Sequence, residues 1–284
     1  MSECGFRNAR VAADCQVTGD PTPLVTVVVP CYNHEQYVER SVLSVIEQTY
    51  SRVQLVVIDD GSQDSSVEKL VSLKDRFDFT LICQENRGIC STLNRAIRSA
   101  AKGEYIALLA SDDFWDRDKL CLQMDELRRR PGSEFCFSQA IEFSNDEDVS
   151  KGRVFPRKCL SGDVLERVFV RQHVPAGTML FSRRLYDQLG GFDETLKEED
   201  WDFVIRSAAV TKFSSVNKPL LYYRSHQGNT MKTRSRSGIF HQKAKLLSKN
   251  FDLVSPWRWL FAIALHFGHD IVLGSLGSDR RSGA

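Results

Sequence analysis

The sequence predicts an α/β protein built on a mostly parallel sheet flanked by helices, and three observations lead there. Uninterrupted apolar runs such as LVTVVVP, LVVID and YIALLA read as strands buried on both faces, as the strands of parallel sheets are. Segments with apolar residues at helical spacing separate them, so strand and helix alternate and the connections are right-handed crossovers. Three strand ends carry unusual polar residues: PCYN at 30–33, DDGS at 59–62 and SDD at 111–113. Ligands bind beyond the carboxyl ends of such strands, so these turns are expected to share one rim.

The elements follow in order. Residues 1–22 form a polar leader ending in GDPTP, without the apolar core of a signal peptide. LVTVVVP, stopped by Pro30, is the first strand, and Val38, Val42, Val45 and Ile46 mark the helix after it. LVVID is the second strand, with a polar helix from about Ser65 to Lys74. FTLIC is the third, followed by a helix marked by Ile89, Leu93, Ala96, Ile97 and Ala100. YIALLA is the fourth, with a helix over about Asp116–Arg130, and EFCFS is the fifth. Beyond Gln139 the pattern loosens: SNDEDVSKGR reads as a loop, GDVLERVFV and RRLYDQLGGF as short helices, LKEEDWDFVIRSA as the start of another, and PLLYYR as a late strand.

Composition excludes some functions. The 284 residues are 42% hydrophobic and 26% charged, with 38 basic and 37 acidic side chains, so net charge gives no support to nucleic-acid binding. Charge is uneven, however. Phe203–Phe251 contains no acid and carries +10, leaving −9 on the rest. This stretch reads either as a solvated basic face or as a contact for phosphates or an anionic membrane surface. The eight cysteines show no metal-binding spacing, and several lie in apolar runs; they read as reduced, structural thiols of a cytoplasmic chain.

Asp112 and Asp113 stand side by side where a buried strand ends. Adjacent carboxylates repel, and a hard cation with oxygen ligands relieves the repulsion; the simpler alternative is a helix cap beside a solvated acid. DDGSQD lacks the alternating acids and closing glutamate of a calcium loop, and neither GxxxxGK[ST] nor GxGxxG occurs.

VTVVVPCYNHEQYVERSVLSVIEQTY, LVVIDDGSQDSS, ENRGICSTLNRAI and GEYIALLASDD together resemble family 2 of the inverting nucleotide-sugar glycosyltransferases, over roughly residues 24–226. The resemblance implies a GT-A fold, a Rossmann-like sheet, with a nucleotide-sugar-binding half at 23–138, an acceptor-binding and catalytic half at 139–226 and a basic, helical C-terminal region at 227–284. It places Pro30, Tyr32 and Asn33 at the nucleotide, with Tyr32 stacking on the base. Asp60 reads base or ribose while Asp59 braces the turn. Arg87 touches phosphate or base, and Gly88 lets the backbone pass close. Asp112 faces the ribose and the metal, and Asp113 is a ligand of the divalent cation, Mn²⁺ or Mg²⁺. Arg224, in YYRSHQGNT, pairs with the diphosphate, and His226 is a third metal ligand or a phosphate donor. A UDP-sugar is the favoured donor, although no residue pattern separates uridine from guanosine or thymidine. The acceptor implied is a saccharide, growing or lipid-linked, of cell-surface polysaccharide.

KEEDWDF resembles the family's ED motif at a helix start, which makes Asp200 the general base and Glu199 its orienting partner. A helix N-terminus also favours acids for dipole reasons alone. A sugar-phosphate nucleotidyltransferase would show a Gly-rich GGxGTR loop where this chain has PCYNHEQ, and a non-catalytic binding module would not need the acids at 112–113 and 199–200.

Pro256–Leu276 is apolar but interrupted by Arg258, His266, His269 and Asp270, a poor membrane span. On a helix these four share an arc of about 120°, with Leu260, Phe261, Ile263, Ala264, Phe267, Ile271 and Val272 opposite. The segment reads as an interfacial helix, peripheral on the cytoplasmic face of the inner membrane; packing on the domain or at a homodimer contact are the alternatives.

Overall fold

The apolar run Val25–Cys31 forms β1, which lies between and parallel to β2 (Val53–Asp59) and β4 (Tyr105–Leu108), with Val25 opposite both Val53 and Tyr105. The computed structural model describes residues 22–144, 149, 151–196, 199–226 and 235–272. β3 (Thr80–Cys83) extends this parallel group at its outer edge. The crossovers are α1 (Val38–Ile46), α2 (Ser66–Lys74) and α3 (Ile89–Ala100), as the spacing predicts.

The second half completes the sheet. A short β5 (Phe114–Trp115) and α4 (Lys119–Arg129) lead to the long β6 (Ser133–Phe143), on which β7 (Arg153–Phe155) pairs. After α5 (Leu165–Val170) come β8 (Leu180–Ser182), α6 (Arg183–Gln188), α7 (Glu199–Val210) and β9 (Lys212–Arg224). Among the described residues, nine strands form one sheet in the order β3-β2-β1-β4-β8-β6-β9-β5, with β7 on β6. Taking pair directions along it, β1–β4, β6 and β9 run one way and β5, β7 and β8 the other. The reversed strands are two or three residues long, too short to leave a periodic signal, and the sequence does not predict them. The late strand expected at PLLYYR starts earlier, because Lys212–Val216 also pairs with β6. The division anticipated at residue 139 falls inside β6.

Alternate residues of the parallel strands feed two cores. Val25, Val27 and Val29 pack on one face with Leu55 and Val57, while Val28 packs on the other with Val56 and Ile58. Burial on both faces is why these runs are continuously apolar. The six described cysteines form no disulfide, and Cys31, Cys90, Cys136 and Cys159 are buried.

A third cluster joins the C-terminal helices to the domain. α8 (Arg236–Lys249) and α9 (Pro256–Phe267) bring Leu246, Leu247 and Ala262 against Phe169 of α5 and Trp201 and Ile205 of α7. Beneath it Asp202, fully buried, accepts from Arg206 Nε at 2.7 Å, Lys249 Nζ at 2.9 Å and Asn250 Nδ2 at 2.9 Å. Asp202 therefore turns away from the candidate base Asp200, as its place two residues on in a helix requires.

The basic stretch is largely neutralised from within. Lys212 pairs with Asp163, Lys218 with Asp116, Lys243 with Asp270 and Lys249 with Asp193, while Arg206 meets Asp202. Most of its described cations thus serve intramolecular contacts rather than an open phosphate-binding face. Among the described residues, no helix is long and apolar enough to cross a membrane.

Replacing Asp202 by Ala leaves Arg206 unpaired in a buried site. The expected loss is about 3 kcal/mol, the low end for a broken buried pair, because Lys249, with 35% of its side chain exposed, recovers water contacts. Urea denaturation checks this; a loss below about 1 kcal/mol, the range of surface pairs, would show the cluster to be solvent-like.

Candidate active site

The parallel strands end at one edge of the sheet, and the turns beyond them are tied to one another. Asn33, in the left-handed region at φ 54°, accepts from the Gln63 N–H at 2.7 Å and donates its own N–H to Ser62 Oγ at 2.9 Å. The His34 N–H donates to Ser66 Oγ at 3.0 Å and the Glu35 N–H to Asp64 Oδ2 at 3.0 Å. The turn after β1 is thereby docked onto the turn after β2.

Asp59 accepts from the Gly61 and Ser62 N–H groups and from Ser62 Oγ, bracing its turn. Gly61 is required there: its φ is +81°, and a Cβ would lie 2.8 Å from Asn86 N. Asp60 is directed to the next strand end. Its carboxylate accepts from Gln84 Nε2 at 2.6 Å, the Arg87 N–H at 2.9 Å and the Gly88 N–H at 3.0 Å. Gly88 has φ +80° but open space around it, so conformation rather than close packing calls for glycine. Arg87 is exposed. Tyr32, half exposed, and Gly61 line a cavity of about 500 Å³ with Cys83, Gln84 and Asn86. Pro30 stays within β1, opposite Ile58.

The aspartate turn is held from two sides. Ser41 Oγ of α1 donates to the Ala110 carbonyl at 3.2 Å. At the end of β9, the Arg224 N–H donates to Asp113 Oδ1 at 2.8 Å, and Arg224 Nε donates to the Asp112 carbonyl at 3.1 Å. Arg224 is buried, its guanidinium over the rings of Tyr37 at 4.6 Å and Phe143 at 4.9 Å. These contacts hold the turn.

The two aspartates have different surroundings. Asp113 points inward; burial, and then the neighbouring charge of Asp112, hold its carboxyl well above the usual carboxylate range against the pull of Arg224. Asp112 points to a pair of imidazoles: its Oδ2 lies 3.1 Å from His226 Nε2 and 4.0 Å from His34 Nε2. The donor atoms of His34, Asp112 and His226 all lie within 4.8 Å of one another. Asp112 and His226, expected at the metal, belong to this group together with His34, which was not expected there; Asp113, also expected at the metal, is not one of the three. His34 Nδ1 meets Ser111 Oγ at 2.7 Å, which leaves Nε2 toward the cluster, as supporting bonds orient metal-ligating imidazoles. Burial keeps the His34 pKa low, favouring the neutral form that ligates metal. Two imidazoles and a carboxylate fit an ion of mixed nitrogen and oxygen preference such as Mn²⁺ better than Mg²⁺, which favours oxygen.

Asp200 lies in the first turn of α7, half buried. Gln172 Nε2 donates to its Oδ2 at 3.1 Å, and burial raises its pKa despite that bond and the Trp201 N–H. The contact of Cys90 Sγ, at the start of α3, with the Leu196 carbonyl at 3.2 Å keeps the approach to α7 at the carboxyl edge of the parallel strands. The side chain of Glu199 and residues 227–230 lie outside the described residues. Sequence reasoning missed His34 and Gln172. His34 follows PCYN directly, so its place on the rim was a usable signal; nothing local marks Gln172.

The family model described as glycosyl transferase family 2 matches residues 26–190, more than half of the chain. An uncharacterized glycosyltransferase of Rickettsia typhi is 28% identical over 75% of this chain and 67% of its own length. The chondroitin synthase of Escherichia coli is 28% identical over 73% of this chain, a match spanning only 30% of that protein. Among solved structures, S. aureus TarS 1–349 in complex with UDP-GlcNAc superposes with a TM-score of 0.65 at 18% identity, over 86% of this chain and 81% of that one. The mannosyltransferase PcManGT of Pyrobaculum calidifontis, in complex with GDP-Man and Mn²⁺, gives 0.62 at 20% identity, over 93% and 77%. These structures support the fold.

The two aspartates are expected to separate in a metal titration. Asp112→Asn and His226→Ala should each weaken Mn²⁺ binding by more than about 10-fold, the lower end for losing even a supporting contact around a metal. Asp113→Asn should keep its fold and bind Mn²⁺ nearly as the parent does. Calorimetry or Mn²⁺ electron resonance reads both, and a selective loss in Asp113→Asn would reverse the assignment.

Proposed function

The chain belongs to glycosyl transferase family 2, and on that premise we propose that it moves a sugar, with inversion, from a nucleoside-diphosphate donor to an acceptor hydroxyl. The carrying observation is the meeting of His34, Asp112 and His226 on the rim where the Tyr32 cavity opens.

The base of the donor enters that cavity, where the Tyr32 ring offers a stacking face. Asp60 contributes by ordering residues 84–88, and it presents Arg87 toward the diphosphate. Asp112, His226 and His34 would hold a divalent cation, which supplies Lewis-acid neutralisation of the charge growing on the leaving diphosphate. Arg224 and Asp113 position the Asp112 carboxylate. As the bond to phosphate breaks, the sugar carbon gains oxocarbenium character, and attack from the opposite face inverts it. Asp200 takes the proton of the attacking hydroxyl, with Gln172 fixing its orientation and Glu199 as the partner that orients acceptor or base.

A UDP-sugar is the donor we favour, because TarS binds UDP-GlcNAc; the mannosyltransferase bound to GDP-Man keeps guanosine as the second choice. A saccharide acceptor of polysaccharide synthesis is favoured by the likeness to chondroitin and hyaluronan synthases. Release of nucleoside diphosphate from UDP- and GDP-sugars with Mn²⁺, with and without oligosaccharide acceptors, tests the reading; absence of both donor binding and release would sink it.

Asp200 must be ionised to act, and its folded pKa is raised, so activity should be present above that pKa and lost as pH falls through it. The acidic limb of kcat should therefore lie above the usual carboxylate range. Asp200→Asn should cut kcat by about 10²-fold or more and remove that limb, leaving nucleotide affinity nearly unchanged. Collapse of donor binding with normal residual turnover would make Asp200 a donor ligand instead.

A further inference from the structure

The orientation of α9 differs from the one its sequence suggests. His266, placed by the helical wheel on a polar, outward arc, is buried: its Nε2 lies 3.0 Å from the Val170 carbonyl and its ring stands edge-on to Trp201 at 5.3 Å. Trp259, Ala262 and Ile263 pack inward with it. The large apolar residues face out instead, with Trp257 80%, Phe261 54% and Leu265 42% exposed. A contiguous apolar face rimmed by polar groups marks an interaction surface.

A groove of about 420 Å³ runs beside this face, between α5 and α9. Phe261 and Leu265 form part of its apolar wall, and Lys158, Arg167, Arg171 and Arg258 supply four permanent cations. Its one carboxylate, Glu166, is paired with Arg258. Among the described residues, the side chains of Lys158, Arg167 and Arg171 have no ion pair or hydrogen bond. His173, which also lines the groove, has its pKa lowered by burial and then by the charges of Arg171 and Arg167, as expected in a field of one sign.

We propose that this face docks on an anionic bilayer, with a lipid phosphate in the groove and Trp257, Phe261 and Leu265 at the acyl boundary. Guanidinium forks match phosphate oxygens, and an amphipathic tryptophan suits the membrane interface. Stable surface anchoring generally takes two signals, and cations beside an apolar stripe provide both. The phosphate-binding cations come from α5 and its flanks, since the basic stretch at 203–251 is largely engaged within the protein. A second copy of the chain is the weaker occupant, because an isologous contact here would set Lys158, Arg167 and Arg171 against their own copies. The extended segment at Arg171 turns Gln172 to Asp200 while Arg171 and His173 line the groove, so the docked face backs directly onto the candidate base.

The test is flotation of the full chain with vesicles of phosphatidylcholine alone and with phosphatidylglycerol added. The protein should float with anionic vesicles and only weakly with neutral ones, and added salt should weaken this without abolishing it, because apolar burial is not screened. Arg167→Gln with Arg171→Gln should lower partition onto anionic vesicles about 30-fold, from about 1 kcal/mol per cation. Phe261→Ser with Leu265→Ser should lower binding to both vesicle types. All four side chains are exposed, so these variants should fold and bind nucleotide as the parent does. The proposal does not rest on the catalytic reading, since no groove residue contacts the His34–Asp112–His226 cluster. It is overturned if the parent stays unbound to anionic vesicles at low salt, or if both double variants bind as the parent does. A dimer in sedimentation that Phe261→Ser with Leu265→Ser splits would also overturn it in favour of a second copy. So would binding of a polyprenyl phosphate in neutral detergent micelles without binding to anionic vesicles, in favour of a lipid acceptor site.

Discussion

Arg224 makes the contact on which the site geometry depends. Its backbone N–H meets the Asp113 carboxylate while its guanidinium meets the Asp112 carbonyl, so one residue at the end of β9 sets both neighbours. Two adjacent carboxylates cannot both be stabilised as anions in a buried turn. The structure resolves the conflict by separating them. Asp113 is drawn inward, where burial disfavours its charge, and Asp112 keeps a face toward His34 and His226. The long parallel pairing of β6 and β9, from Ser133–Lys212 to Phe143–Arg224, brings Arg224 to that turn from more than one hundred residues away in sequence.

The same economy of means appears around the Tyr32 cavity. Side chains from one turn accept the backbone N–H groups of the next: Asn33 holds Gln63, Asp59 holds Gly61 and Ser62, and Asp60 holds Arg87 and Gly88. Backbone groups that a sheet leaves unpaired at its strand ends are thereby satisfied, and the turns are ordered before any ligand arrives. Asp60 shapes the 84–88 segment through its bonds to Gln84, Arg87 and Gly88.

Charge is distributed by fold rather than by local sequence. The acid-free run at 203–251 looks like an open cationic face, yet its described lysines and arginines mostly meet acids from other segments. Among the described residues, Lys158, Arg167 and Arg171 are cations without an ion pair gathered at one groove, where the sequence shows no comparable run. Similarly, α9 is amphipathic in composition, but Val170 and Trp201 give His266 a partner and a packing surface inside the protein. Its apolar residues are what remain outside.

The sequence by itself determined the first four strands and the helices between them, because a parallel strand buried on both faces must be continuously apolar and its crossovers must repeat at helical spacing. It also marked the turns that gather at one edge of the sheet: PCYN, DDGS and SDD are polar interruptions at the ends of apolar strands, and the family motifs share those turns. Tertiary structure decided which atoms meet. That His34 rather than Asp113 stands with Asp112 and His226 depends on a contact between turns more than seventy residues apart. Gln172 reaches Asp200 from a segment with no motif, and Arg224 is held at the aspartate turn against the rings of Tyr37, just before α1, and Phe143, at the end of β6. Periodicity records which face of an element is buried, whereas the direction of a single polar side chain is set by the partners that the folded chain brings to it.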